Sequence, residues 1–269
     1  MTAPLLEVRD VARSYVTGPL FSRHRVRAVD GISFTMPSEP AGILAVIGES
    51  GSGKTTLARM ILNMLLPTAG SIRFRGIDLS GIRSGRERLE FMRGVQPVFQ
   101  NPFEAFNPLK RIDRYLFMTA RRVAGLEAIE EAEHRVGEVL HQVGLSLSEV
   151  RGRFPHELSG GQLQRIAIAR ALIPSPALLV ADEPVSMIDA SLRLSIVNLL
   201  RKLRDESGVS IVYITHDLAT AYSISDRILI MREGRVVESG DARAVLDNPQ
   251  HPYSIQLKSA VLSPDAPAA

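Results

Sequence analysis

The chain has 269 residues, 45% of them hydrophobic and 23% charged, which suits a folded globular protein and excludes extended disorder as its main content. Cysteine is absent, which removes disulfide, iron–sulfur, cysteine–zinc and cysteine-nucleophile chemistry and suits a reducing compartment. The 32 basic and 29 acidic residues leave a net charge of +3, too small an excess to point to nucleic acid; only Lys54, Lys110, Lys202 and Lys258 among the basic residues are lysine, so a lysine at a special position stands out.

In chain order, Leu5 to Arg9 and Val26 to Met36 alternate as strands, joined by a loop with Gly18, Pro19 and the basic cluster Arg23, His24, Arg25 and Arg27. The start of the chain, Met1 to Arg9, contains Glu7 and no apolar signal-peptide core. Gly42 to Ile47 is a continuous apolar run of buried-strand type, followed by a glycine-rich loop and a helical pattern from Lys54 to Leu66. A short strand pair is expected around Ser71 to Ile77, then a polar stretch and a strand at Gly94 to Phe99. The turn dipeptides Asn101-Pro102 and Asn107-Pro108 open a region whose helical spacing, from Ile112 to Val143, predicts a small helical subdomain. After Pro174 and Pro176 the rhythm becomes strand Leu178 to Ala181, helix Ser191 to Glu206, strand Ser210 to Thr215, helix Leu218 to Ile224 and strand Arg227 to Met231. A hairpin turn is expected at Arg232 to Arg235, and a loose Pro/Ala tail at Ser263 to Ala269. Alternating strands and helices predict an α/β fold with a mainly parallel sheet covered on both faces. The longest apolar runs are strand-sized, so no transmembrane segment is expected and any membrane role belongs to other subunits.

The loop Gly48-Glu49-Ser50-Gly51-Ser52-Gly53-Lys54-Thr55, with Thr56 following, matches G-x-x-x-x-G-K-[ST] between an expected strand and helix, the context of a phosphate-binding loop. Its glycines let backbone N–H groups turn toward phosphate oxygens, the helix N-terminus adds positive partial charge, Lys54 reaches the terminal phosphates and Thr55 offers a hydroxyl to Mg²⁺. By chance the four fixed positions arise on the order of once in a hundred such chains. Leu178 to Glu183 is a buried strand ending in two carboxylates. An acidic pair at a strand end is common, but ligands of parallel sheets lie beyond the carboxyl ends of strands. Asp182 therefore suits an Mg²⁺ ligand and Glu183 a general base for water. A third motif, Leu158-Ser159-Gly160-Gly161-Gln162, precedes a helix and offers another anion site, whereas a simple helix cap needs only Ser159.

With these three motifs in this order, the chain resembles the nucleotide-binding subunits of ABC transporters, over nearly its whole length. The resemblance implies a P-loop NTPase (RecA-like) core with an N-terminal antiparallel β subdomain, together spanning 1–100 and 174–250, and a helical subdomain at 101–173. It implies that Gln100 is the Q-loop glutamine near Mg²⁺, His216 the switch histidine at the γ-phosphate and Asp189, in Ser186 to Asp189, part of the D-loop. Tyr15 is the candidate for stacking on adenine. Within the superfamily, the stretches Ala28 to Phe34 and Gln100 to Pro108, with Pro155-His156-Glu157 and His251-Pro252-Tyr253, resemble oligopeptide/dipeptide-type importers, with 251–269 as the importer-type tail. Met187 and Ile188 depart from the usual Ser-Ala-Leu-Asp, and Leu163 stands where arginine is common.

The resemblance implies ATP and Mg²⁺ as cofactors and a head-to-tail pairing with a second ABC ATPase, as a heterodimer, with a homodimer in isolation as the alternative left open. It further implies two membrane permease subunits, an external solute-binding protein, and a peripheral position at the cytoplasmic face of the inner membrane. Peptides, nickel or metallophore complexes, opines and oligosaccharides are the cargo classes it leaves open. The alternative is a non-transport cytosolic ABC ATPase of DNA repair or the ribosome. Such proteins usually need coiled-coil insertions, zinc-binding cysteines or two cassettes. A small-molecule P-loop kinase does not account for Ser159 to Gln162.

Overall fold

The computed structural model describes residues 3–17, 24–103 and 105–262, so the expected tail and the Gly18 to Arg23 part of the expected basic loop lie outside the described residues. The chain divides into two units, residues 1–82 with 211–269, and residues 83–210.

The first unit carries an antiparallel sheet in the order β2-β1-β4-β5, from β1 (Leu6–Thr17), β2 (His24–Met36), β4 (Ala69–Phe74) and β5 (Ile77–Asp78). Its two long strands extend further than the alternation predicts, because the apolar face changes parity between Val8 and Val11 and a bulge there absorbs the change. At the bulge Asp10 adopts φ 45° and donates its N–H to Ser33 Oγ at 2.8 Å, so Leu6, Val8 and Val11 all face inward. Arg27, expected in a loop, is instead in β2 opposite Ser14 and paired with Asp30 at 3.0 Å.

Four strands of the same unit follow the order β10-β9-β3-β8: β3 (Ile43–Ile47), β8 (Ser210–Thr215), β9 (Arg227–Arg232) and β10 (Arg235–Asp241). Strand β3 runs parallel to β8 and β9, and all five of its side chains are buried, as a central strand covered on both faces requires. The β9–β10 hairpin turns on Glu233 (φ 49°) and Gly234 (φ 81°), two successive positive φ angles suited to a tight hairpin. Helix α1 (Lys54–Ile61) ends five residues before the expected Leu66: Asn63 takes φ 51°, and Pro67 lies beyond. Helices α8 (Leu218–Ile224), α9 (Ala242–Asp247) and α10 (Pro252–Leu262) cover this sheet, and Ala221, Leu246 and Tyr253 pack with Ile47 and Ile230.

The second unit contains the parallel pair β6 (Val95–Val98) and β7 (Leu178–Asp182) and the helices α2 to α7. The polar stretch before β6 holds α2 (Gly85–Gly94), set by the capping box of Ser84 and Glu87; α5 (Leu147–Val150) begins with the same device from Ser146 and Glu149. The expected continuous helical region is α3 (Ile112–Thr119), a π-helical turn at Ala120–Ala124 stopped by Gly125 at φ 80°, and α4 (Ile129–Gln142). Helix α6 (Gly160–Leu172) is buried on most of its circumference, and Arg135 of α4 caps its end by donating to the carbonyls of Leu172 at 2.7 Å and Ile173 at 3.0 Å. Helix α7 (Ala190–Ser207) completes the unit.

Candidate active site

In the first unit, the phosphate-loop motif is the sharp connection from β3 to α1. A Cβ on Gly48 would stand 2.2 Å from the Met231 carbonyl oxygen, and one on Gly53, whose φ is 101°, would stand 2.1 Å from the Ala28 carbonyl oxygen. Both motif glycines are therefore required by close backbone approach. Lys54 is only 5% exposed, and its ammonium donates to the carbonyls of Gly48 and Glu49, each at 2.7 Å, and to Ser52 Oγ at 3.4 Å. Burial of a lysine needs such partners, and here they curl the loop around its cation. Glu49, Ser50, Gly51 and Thr55 lie at the surface, Thr56 is half-buried, and the first turn of α1 holds no acidic residue. The motif thus presents a helix N-terminus and a positive charge with no competing carboxylate in that turn, the chemistry of an anion site.

His216 is exposed directly after β8. Asp217 fixes the backbone behind it, accepting N–H bonds from Ala219 at 2.9 Å and Thr220 at 3.2 Å as the cap of α8 and donating its own N–H to Thr215 Oγ1 at 3.0 Å. Tyr15 is half-buried in β1, with the Arg13 guanidinium 5.1 Å above its ring, so one ring face already holds a cation.

In the second unit, β6 and β7 run parallel and bring their carboxyl ends to one edge. There Gln100 Nε2 donates to Glu183 Oε2 at 3.1 Å, joining residues from the Q-loop and acidic-strand motifs. Glu183 adopts φ 47°, an uncommon conformation for a side-chain-bearing residue, and Ser186 holds its carbonyl with both N–H (3.2 Å) and Oγ (3.0 Å). Asp182 is half-buried at the end of β7. Ser159 caps α6, accepting the Gln162 N–H at 3.2 Å while Gln162 Oε1 accepts the Ser159 N–H at 3.0 Å. Gln162 is therefore part of the cap, and Gly160 and Gly161 form the first helical turn beside it; a Cβ on Gly161 would press 2.9 Å from Leu192 Cδ1. Asp189 is exposed at the N-cap of α7 without a side-chain cap bond, Met187 is exposed and Ile188 is buried.

The motifs do not disclose one contact at the loop: Tyr253, on the first turn of α10, accepts the Glu49 N–H at 3.0 Å. The His-Pro-Tyr signal was visible in the sequence, but a partner 204 residues away is a product of tertiary packing. Among the described residues no cluster of three His, Asp or Glu side chains could hold a metal ion. Thr55 in the first unit and Asp182 in the second each carry a hard oxygen donor of the kind Mg²⁺ takes.

A glycine-rich turn from a buried parallel strand into a helix, wrapped around a buried lysine, defines a P-loop NTPase. The ABC transporter family profile matches residues 29–186, and the chain belongs to that family. It is 39% identical over 260 residues to the oligopeptide transport ATP-binding protein AppF of Bacillus subtilis, a match covering 96% of this chain and 78% of that protein. A putative peptide import ATP-binding protein of Brucella ovis is 40% identical over 265 residues, covering 98% and 81% respectively. A dimeric ATP-binding cassette solved in a post-hydrolysis state with ADP and Pi matches with a TM-score of 0.77 at 27% identity, over 88% of this chain and 99% of that one. The chain is an ATP-hydrolysing subunit of the importer type, and its named relatives favour that reading over a repair or ribosomal ATPase. No helix among the described residues is long and apolar enough to cross a membrane.

Proposed function

We propose that this subunit hydrolyses ATP to drive uptake of peptides, or of a related small solute, through two separate permease subunits. It works at the cytoplasmic face of the inner membrane, fed by an external solute-binding protein and paired with a second ABC ATPase. A distinct paralogue is that partner in the assembled importer, and a pair of identical copies is the alternative that the mass of the assembled complex distinguishes. The cassette comprises residues 1–250, with the helical subdomain at 101–173 and the tail from 251.

The loop amides of Gly48 to Thr56 and Lys54 bind the triphosphate, and Tyr15 stacks on adenine. Ser159, Gly160, Gly161 and Gln162 of one subunit approach the γ-phosphate held by the other, with Asp189 lining the same junction. Thr55, Gln100 and Asp182 would hold Mg²⁺, which would supply charge neutralisation to the transferred phosphoryl group. Glu183 accepts a proton from the attacking water as it adds to the γ-phosphorus and the bond to the ADP oxygen breaks. His216 donates a hydrogen bond to the phosphoryl oxygens as their charge develops. The products are ADP and inorganic phosphate, and loss of the shared phosphoryl group lets the pair separate.

The Gln100–Glu183 hydrogen bond supports this reading, because it joins the side chains of the two residues to which the proposal gives the base and Mg²⁺ roles. The test is uptake of labelled peptides by cells lacking the chain. Wild-type chain should restore uptake and Lys54→Ala should leave it at background; restoration by Lys54→Ala would contradict the proposal.

A further inference from the structure

Tyr253 is 1% exposed, and its ring packs among Ile47, Ile230 and Leu246 with the Arg232 guanidinium 5.0 Å from its centre. Those contacts would be equally available to phenylalanine. The hydroxyl is different: it accepts the Glu49 N–H at 3.0 Å, while the Glu49 carbonyl accepts Lys54 Nζ at 2.7 Å. Glu49 is thus held on its N–H side by the C-terminal helix and on its carbonyl side by the loop lysine. The tyrosine is itself anchored. Glu238 accepts the N–H groups of Gln250 at 2.8 Å and His251 at 3.1 Å, and His251 Nδ1 accepts the Tyr253 N–H at 3.2 Å. Burial pushes the Tyr253 phenol up, so at neutral pH it serves as a neutral dipole.

We propose that Tyr253 is a positioning residue for the nucleotide site: its hydroxyl commits the Glu49 N–H to the protein and thereby fixes the part of the loop against which Lys54 is braced. The C-terminal His-Pro-Tyr segment then sets nucleotide affinity without touching nucleotide. The inference rests on the ATPase reading above.

The test replaces Tyr253 by phenylalanine in the assembled complex, retaining the ring and removing only the hydroxyl. Loss of the hydroxyl's hydrogen bonding to Glu49, which organises ground-state binding, predicts a rise in KM for ATP of roughly three- to tenfold, with kcat within about twofold. Amide exchange in residues 48–54 without nucleotide should accelerate, with no matching acceleration in β3 or β8. A purely structural tyrosine would lower thermal stability or raise exchange throughout the unit and leave KM unchanged, and that result overturns the inference. The wild-type chain gives a readout independent of any variant: slow exchange at Glu49 is expected, and rapid exchange contradicts the proposal. Wild-type complex that hydrolyses ATP while Tyr253→Phe keeps its KM removes this inference alone, whereas wild-type complex that neither binds nor hydrolyses ATP removes the ATPase reading and this inference with it.

Discussion

Gly53 shows how tightly the phosphate loop is determined. Its φ of 101° and a virtual Cβ 2.1 Å from a backbone carbonyl leave no room for even a methyl group. Gly53→Ala should lower stability by about 2–4 kcal/mol, the scale of a strained backbone combined with an unrelieved clash, and should abolish nucleotide binding. Denaturant unfolding and titration with a fluorescent ATP analogue check the two effects separately. This residue was legible in the sequence because motif spacing and backbone chemistry coincide. The left-handed conformation of Glu183 was not, since nothing in Ala181-Asp182-Glu183-Pro184 distinguishes a strained turn from an ordinary strand end.

At the scale of elements, periodicity identified the buried strands β3, β7 and β8, whose apolar runs leave little choice of environment. It missed α2 and α5, where short polar helices carry little apolar pattern and the useful signal was Ser84 with Glu87 and Ser146 with Glu149. Those caps make a pH prediction. The Ser84 N–H holds the Glu87 carboxyl below its ordinary 4.5, and the Ser146 hydroxyl does the same for Glu149. A carboxyl depressed in the folded state stabilises above its unfolded pKa and loses that contribution as pH falls through the folded one. Amide protection at the start of α2 should therefore hold near neutrality and decline below about 4.5. Glu87→Gln should remove that decline when protection is followed by exchange at successive pH values. The parity change in β1 was equally hard to read, because strict alternation stops at Val8 and resumes at Val11 only when a bulge inserts a residue.

At the scale of the whole molecule, the motif order conveyed the ATPase class, and the family match agrees with it. What spacing could not convey is tertiary: Gln100 meets Glu183 across 83 residues and Tyr253 meets Glu49 across 204. The proposed cycle needs two subunits to share ATP, so blocking hydrolysis while preserving binding should stabilise the pair. Glu183→Gln keeps the size and hydrogen-bonding capacity of the side chain but removes its basicity, which makes it the sharpest probe of the proposed base. The decisive measurement is phosphate release by the tagged complex purified from its own membranes, wild type against Glu183→Gln. We predict steady ATP turnover by wild type and a loss of at least about a hundredfold in the variant, the scale expected when a general base is removed. Turnover by Glu183→Gln equal to that of wild type would contradict the account.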